Sequence, residues 1–306
     1  MAVRAALCKC ALAWLIQFLA VVAVATAHAA EPLTVKLWPQ GAPEPSGFTP
    51  GPEHIVPKRD GAQKRLMNVS EPTISIYRPN RPNGPNGTAV VVAPGGAYSF
   101  LAIEHEGTQV CERLMSLGIT CVLLRYRVPM RSEGDPGHEA LQDAQRAMGL
   151  LRQRAAEWSI NPARIGFLGF SAGGHLAVRM ALHGNERTYP IERAVDVEDA
   201  RPNFVVPVYP AYLLDKDDTF RLQSDLKVTQ AAPPMCLVHA DDDKGLSSSA
   251  GSALLYLEYK KANRPAELHI YAKGGHGFGL KQLDLPTADW LARVVEWMGA
   301  NGWMGP

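Results

Sequence analysis

The sequence predicts an α/β protein with a mostly parallel central sheet and helices on both faces. Three observations carry that expectation. Predominantly apolar segments without alternation, at 88–93, 119–126, 164–169 and 234–239, read as strands buried on both sides. Between them lie stretches with helical spacing, above all 139–158, where Leu141, Ala144, Ala147, Met148, Leu151 and Ala155 recur three and four apart. Gly 27 and Pro 24 in 306 residues indicate many turns, and so argue against a helical bundle.

The elements follow in order. A strand is expected near 34–38, inside a stretch to about residue 71 that is otherwise rich in proline, glycine and charge and reads as a wrapped extension. Strands at 73–77 and 88–93, a helix near 106–117 and a strand at 119–126 begin the alternating rhythm. The long helix 139–158 stops before Asn161-Pro162, because proline cannot continue it. A strand at 164–169, a helix at 172–183, strands at 204–208 and 234–239, a helix at 246–261, a strand at 267–271 and a closing helix at 286–298 complete the pattern.

Arg4 and Lys9 precede an apolar run from Ala11 to Ala25 that is broken only by Gln17, and Ala27-His28-Ala29 places small residues at signal-peptidase spacing. The run falls short of the roughly 20 apolar residues that span a bilayer. The expected organisation is a signal peptide over 1–29, an N-terminal extension over 30–71 packed on the core, and a main domain over 72–306. The mature protein is expected to be periplasmic or secreted, without stable membrane insertion. Lys+Arg 31 against Asp+Glu 30 leaves no basic excess for phosphates, so nucleic acid is not an expected partner. Of five cysteines, Cys111, Cys121 and Cys236 remain after cleavage, too few for a disulfide framework. Cys111 and Cys121 can pair in an oxidising compartment, but their spacing does not decide it. No Cys-x-x-Cys pair or His-Glu-x-x-His helix occurs, so neither a metal nor a cofactor is expected.

Gly169-Phe170-Ser171-Ala172-Gly173 sits between an expected strand and an expected helix. A serine forced into such a turn projects its hydroxyl above the sheet, where the first amides of the helix favour negative charge. A hydroxyl is a weak nucleophile, so it needs a base, and the base needs an orienting carboxylate. His276, in the glycine-rich run Lys273 to Gly279 after the last strand, is the expected base. His175 lies one turn beyond Ser171 and is expected to bond locally. His138 and His183 look like helix-end residues, His269 lies in a strand, and His105 is expected near the entrance. Asp241, Asp242 and Asp243 follow the strand that ends at His239, and residue reading alone does not choose among them. The amide of Ala172 and the loop Pro94-Gly95-Gly96-Ala97-Tyr98 are the expected oxyanion donors. Tyr98, Tyr209 and Tyr212 are read first as core packing, with stacking on sugar rings as the alternative.

These motifs, together with Leu37-Trp38-Pro39-Gln40-Gly41-Ala42-Pro43 and Tyr126-Arg127-Val128-Pro129, resemble secreted bacterial α/β-hydrolase esterases. The likeness is to the acetylxylan-esterase and feruloyl-esterase-like kind, related to the hormone-sensitive-lipase-like group, and it runs from about residue 37 to 297. The resemblance implies an α/β-hydrolase catalytic domain over 72–306. It also implies a triad of Ser171, Asp243 and His276, with Asp242 in reserve, and oxyanion amides from Gly96, Ala97 and Ala172. Ala97 departs from the commoner glycine, a change that keeps its N–H. The implied activity is hydrolysis of short acyl esters, acetyl first, on a carbohydrate such as xylan or on a small ester, through an acyl-enzyme. A peptidase or lactonase on the same fold is the alternative, and a non-catalytic binding protein the remoter one.

Overall fold

The computed structural model describes residues 31–45, 48–57, 64–80, 84–132, 134–244, 247–281 and 283–305, and the expected signal peptide lies outside them. Strands β1 (Leu33–Lys36), β4 (Thr73–Tyr77), β5 (Ala89–Ala93), β6 (Thr120–Arg125), β7 (Ile165–Phe170), β8 (Phe204–Val208), β9 (Met235–Ala240) and β10 (Ala266–Tyr271) form one eight-stranded sheet. Its order is β1-β4-β6-β5-β7-β8-β9-β10. From β6 to β10 every neighbouring pair is parallel, while β1 and β4 add an antiparallel edge.

Apolar runs without alternation arise because both faces of this sheet are covered. Ala89, Val91 and Ala93 of β5, Ile165 and Phe167 of β7, and Met235 and Leu237 of β9 join one core. That core includes residues of α2 (His138–Gln153), α3 (Ala172–His183) and α4 (Ser249–Lys261). The alternate residues Val90, Val92, Leu168, Phe170, Cys236 and Val238 join a second core with α1 (Gln109–Ser116) and α5 (Trp290–Ala300). The chain leaves β5 for β6 on one side and then crosses to β7 on the other, so the strand order reverses at β5. The crevice at the carboxyl ends of β5 and β7 is therefore where a ligand site forms in such sheets.

Several boundaries differ from the sequence expectations for local reasons. The last turn before α5 is a tight helical turn over Pro286–Asp289, and α5 proper begins at Trp290. Helix α4 starts at Ser249 because the Ser248 side chain accepts the Ala250 N–H and caps it. Helix α2 ends at Gln153, and the chain turns through Ser159, at φ 56°, before Asn161. The extension holds a hairpin that the sequence did not reveal, β2 (His54–Pro57) with β3 (Lys64–Met67). Its strands are mostly exposed and only Leu66 is buried, so no alternation marks them. A disulfide joins Cys111 of α1 to Cys121 of β6.

The start of the described chain is tied down by buried polar groups. Asp143 of α2 accepts hydrogen bonds from Trp38 Nε1 at 2.7 Å and from the Arg127 backbone N–H at 2.9 Å, and it pairs with the Arg127 guanidinium. Arg127 also donates to the carbonyl of Pro43. Two of the recognisable motifs, Leu37 to Pro43 and Tyr126 to Pro129, are thus halves of one buried clasp. Asp143→Ala removes the buried carboxylate of the guanidinium, leaving only the more distant Glu44 at 3.9 Å, and is expected to cost about 3–5 kcal/mol, read as a lower denaturant midpoint. A loss below about 1 kcal/mol would show that Gln142 and the carbonyls around Arg127 suffice.

Candidate active site

The turn between β7 and α3 places Ser171. Its backbone lies at φ 53° and ψ −115°, a conformation side chains disfavour. A Cβ at residue 169 would lie 1.9 Å from the Gly173 carbonyl oxygen, and one at residue 173 would lie 2.1 Å from that of Ala93. Glycine is therefore obligatory at both positions. The strained residue is held by three backbone hydrogen bonds: its N–H donates to Val208 O, and its carbonyl accepts from His175 and Ala211.

The loops after β9 and β10 carry the partners. His276 Nε2 lies 2.9 Å from Ser171 Oγ, and His276 Nδ1 lies 2.8 Å from Asp243 Oδ2. Because an ionised carboxylate only accepts, Nδ1 carries the proton and Nε2 is left to accept from the serine. The consecutive aspartates separate cleanly. Asp241 accepts from Ser249 Oγ, Asp242 accepts the Gly275 N–H at 2.8 Å and so braces the histidine loop, and Asp243 meets the imidazole.

Burial by itself would raise the Asp243 carboxyl. The hydrogen bond with His276, together with His239 at 3.4 Å and the nearby Ser247, outweighs it and holds the group at about 2. His239, fully buried, bonds Ser252 and Ser247 and approaches Asp243 to 3.4 Å.

The loop after β5 approaches the serine from the other side. A Cβ on Gly95 would stand 2.8 Å from Ser171 Cβ, so the backbone passes directly beside the hydroxyl-bearing carbon. Gly96, Ala97 and Tyr98 all have positive φ, at 135°, 52° and 54°. Among the described residues no acceptor takes the amides of Gly96, Ala97 or Ala172, and Gly96, Ala97 and Ser171 line one cavity of about 300 Å³. Phe100, Ala102, His105, Glu106, His276 and Gly277 also line it.

Sequence reasoning missed Glu106. This buried carboxylate accepts the Gly95 N–H on Oε2 at 2.8 Å and the Tyr209 hydroxyl on Oε1 at 2.9 Å. Burial, and then the charge of Glu106, push the Tyr209 phenol well up, so it stays protonated and donates. The Tyr209 oxygen accepts the Gly279 N–H, and its ring packs edge-on to His276 at 5.1 Å. One carboxylate thus links the loop after β5 to the histidine loop. The only advance sign was an acid beside His105, a histidine already expected near the entrance.

Other expectations find their places. His175 bonds Tyr98 Oη at 2.9 Å, and burial followed by the Arg179 charge lowers it to about 3, so it stays neutral. Tyr98 and Tyr209 are buried. His269 pairs with Glu267, and with Cys236 these form the one group among the described residues that could offer three metal ligands. It lies away from the serine, toward the starts of β9 and β10. No helix among the described residues is long and apolar enough to cross a membrane.

The strand order and the strand-turn-helix at residue 171, with the serine, histidine and aspartate joined at one sheet edge, are those of the α/β-hydrolase fold. Residues 74–216 match the family model described as BD-FAE. An acetylxylan esterase of Xylanibacter ruminicola is 29% identical over 261 residues, 76% of this chain and 51% of that protein. The esterase LipQ of Mycobacterium tuberculosis is 23% identical over 223 residues, 65% of this chain and 50% of that one. The chain therefore spans about half the length of these relatives. Among solved structures, an acetyl ester-xyloside bifunctional hydrolase from Caldicellulosiruptor lactoaceticus superposes with a TM-score of 0.66 at 29% identity. It covers 85% of this chain and 100% of its own. Over these stretches the chain is similar to esterases of the α/β-hydrolase fold.

The Asp243 carboxyl, at 3.8 when unfolded and about 2 when folded, favours the folded state wherever it is ionised. Its contribution is complete above the unfolded value and is lost as pH falls toward the folded one. The difference in unfolding free energy between the wild type and Asp243→Asn should therefore stay level above about pH 4 and shrink from there to about pH 2. Denaturant titrations across that range read it, and a difference that does not change with pH would refute the assignment.

Proposed function

We propose that this protein is a serine carboxylic-ester hydrolase that removes short acyl groups, acetyl foremost, from a carbohydrate such as xylan. The single observation that carries the reading is the unbroken line from Ser171 Oγ through His276 to Asp243, at 2.9 Å and 2.8 Å. In this reading Ser171 attacks the ester carbonyl as its proton passes to His276 Nε2. Asp243 holds the imidazole with Nδ1 protonated and stabilises the imidazolium. The amides of Gly96, Ala97 and Ala172 receive the oxyanion. His276 then gives its proton to the leaving alcohol, and a water activated by the same nitrogen clears the acyl-enzyme.

The cavity of about 300 Å³ suits a small acyl group. The carbohydrate assignment draws on the acetylxylan esterase of Xylanibacter ruminicola. Export is part of the proposal and is supported by the Cys111–Cys121 disulfide, since such bonds persist in oxidising compartments. Glu106 acts as a positioning residue that keeps the oxyanion loop and the histidine loop in step.

Ser171→Ala should lower turnover of a chromogenic acetyl ester by roughly 10⁴–10⁶-fold. Retention of a substantial fraction would end this mechanism. Acetate release from acetylated xylan by the wild type tests the substrate. Cleavage of the small ester with xylan left untouched would keep the chemistry and remove the polysaccharide. Glu106→Ala strands two buried donors and should lower kcat about 10–100-fold with little change in KM, with Glu106→Gln recovering part of the loss. A rise in KM alone would mean that Glu106 only shapes the cavity wall.

A further inference from the structure

Basic side chains outnumber acidic ones in the wall of the cavity beside Ser171. Lys64, Arg65 and Lys281 line it, although the whole chain is nearly balanced at 31 basic to 30 acidic residues. The one carboxylate in the lining, Glu106, has its oxygens engaged by Gly95 and Tyr209. Lys64 pairs with Glu104 at 3.4 Å. Arg65 differs from both. Its guanidinium carbon sits 4.4 Å from the centre of the Phe100 ring, and among the described residues no carboxylate or carbonyl accepts from it.

A stacked guanidinium spends its face on the ring and keeps its edges, with their N–H donors, for a ligand. Stacking also reduces the freedom that binding would otherwise remove. The position is set by backbone as well as by the side chain. Leu66, the next residue, exchanges two hydrogen bonds with Leu101, both at 2.9 Å, and Phe100 N–H bonds the Gly96 carbonyl at 3.2 Å. Arg65 is thereby fastened to the loop that lies beside the serine. The β2–β3 hairpin, which looked like mere extension, brings a cation to the mouth of the site.

We propose that Arg65 forms an anion subsite that selects esters whose alcohol portion carries a carboxylate, that is, acylated carbohydrates containing a uronate. The inference rests on the esterase reading above, in which the acyl group is small and neutral and any charge must lie on the alcohol side. A bidentate contact between guanidinium and carboxylate supplies both the attraction and the orientation that a lone lysine would not. The carboxylate can belong to a side-branch glucuronate on a xylan or to a backbone galacturonate.

The test compares kcat/KM of the full chain on three acetylated oligosaccharides: neutral xylo-oligosaccharides, xylo-oligosaccharides with one glucuronate branch, and galacturonate oligosaccharides. At least one uronate substrate should be preferred by roughly 10-fold or more through KM. Added salt and Arg65→Gln should each shrink that ratio. The preferred arm identifies the source of the carboxylate. A ratio near one overturns the subsite and leaves the esterase reading intact. So does an Arg65→Gln variant that slows all three substrates equally, which would mean that arginine merely props Phe100. Binding of the deacetylated oligosaccharides to Ser171→Ala, followed by tryptophan fluorescence, decides the matter without turnover. Tighter binding of a uronate arm that Arg65→Gln abolishes supports the subsite even if no ester is cleaved, and equal binding of all three removes it.

Discussion

Between β7 and α3 the chain reverses in a space that leaves no room for a side chain at residue 169 or 173. Ser171 is held there in a conformation that costs of order 1–3 kcal/mol. The surroundings must over-determine that residue, and they do so from three directions. Strand β8 accepts its amide through Val208, the next helical turn takes its carbonyl through His175, and Ala211 adds a second bond to the same oxygen. Those partners are rigid only because the sheet is packed on both faces, with alternate residues of each central strand feeding a different core. The covered sheet is thus what keeps the hydroxyl raised.

Around that point the polar groups form a connected set, and each is buried with a reason. Asp243 is kept ionised by two histidines and a serine, Asp242 braces the loop that carries His276, and Glu106 ties that loop to the glycine stretch after β5. Low dielectric makes such a set strong when complete and costly when a member is removed. The Trp38–Asp143–Arg127 clasp follows the same logic at a distance from the serine, fastening the first part of the described chain to α2.

Much of the fold was legible because both cores demand continuous apolar strands and a 3.6-residue helical stripe, which are patterns of composition along the chain. The β2–β3 hairpin was not legible, since one buried residue in Leu66 makes no pattern. Its place is set by hydrogen bonds to Leu101, far along the sequence. Helix ends were blurred for the same reason: a cap such as Ser248 is a single hydrogen bond, not a periodicity.

For the site, local sequence determined Ser171, because a strand, a tight glycine-flanked turn and a helix are consecutive in the chain and their steric requirement is local. It also pointed to His276, which lies in the one glycine-rich loop after the final strand. Residue reading left Asp241, Asp242 and Asp243 alike, the resemblance implied Asp243, and the tertiary structure gives each a different partner. Three like residues in a row differ in nothing but the direction in which the loop aims them, and that direction is set by contacts with Ser249, Gly275 and His276. Glu106 and Arg65 likewise acquire meaning only through residues distant in sequence: Tyr209 lies 103 residues from Glu106, and Arg65 shares its cavity with Ser171 at another strand's end. Periodicity and turn chemistry are properties of neighbours along the chain, whereas charge pairing at a site depends on which loops the closed sheet brings to one edge.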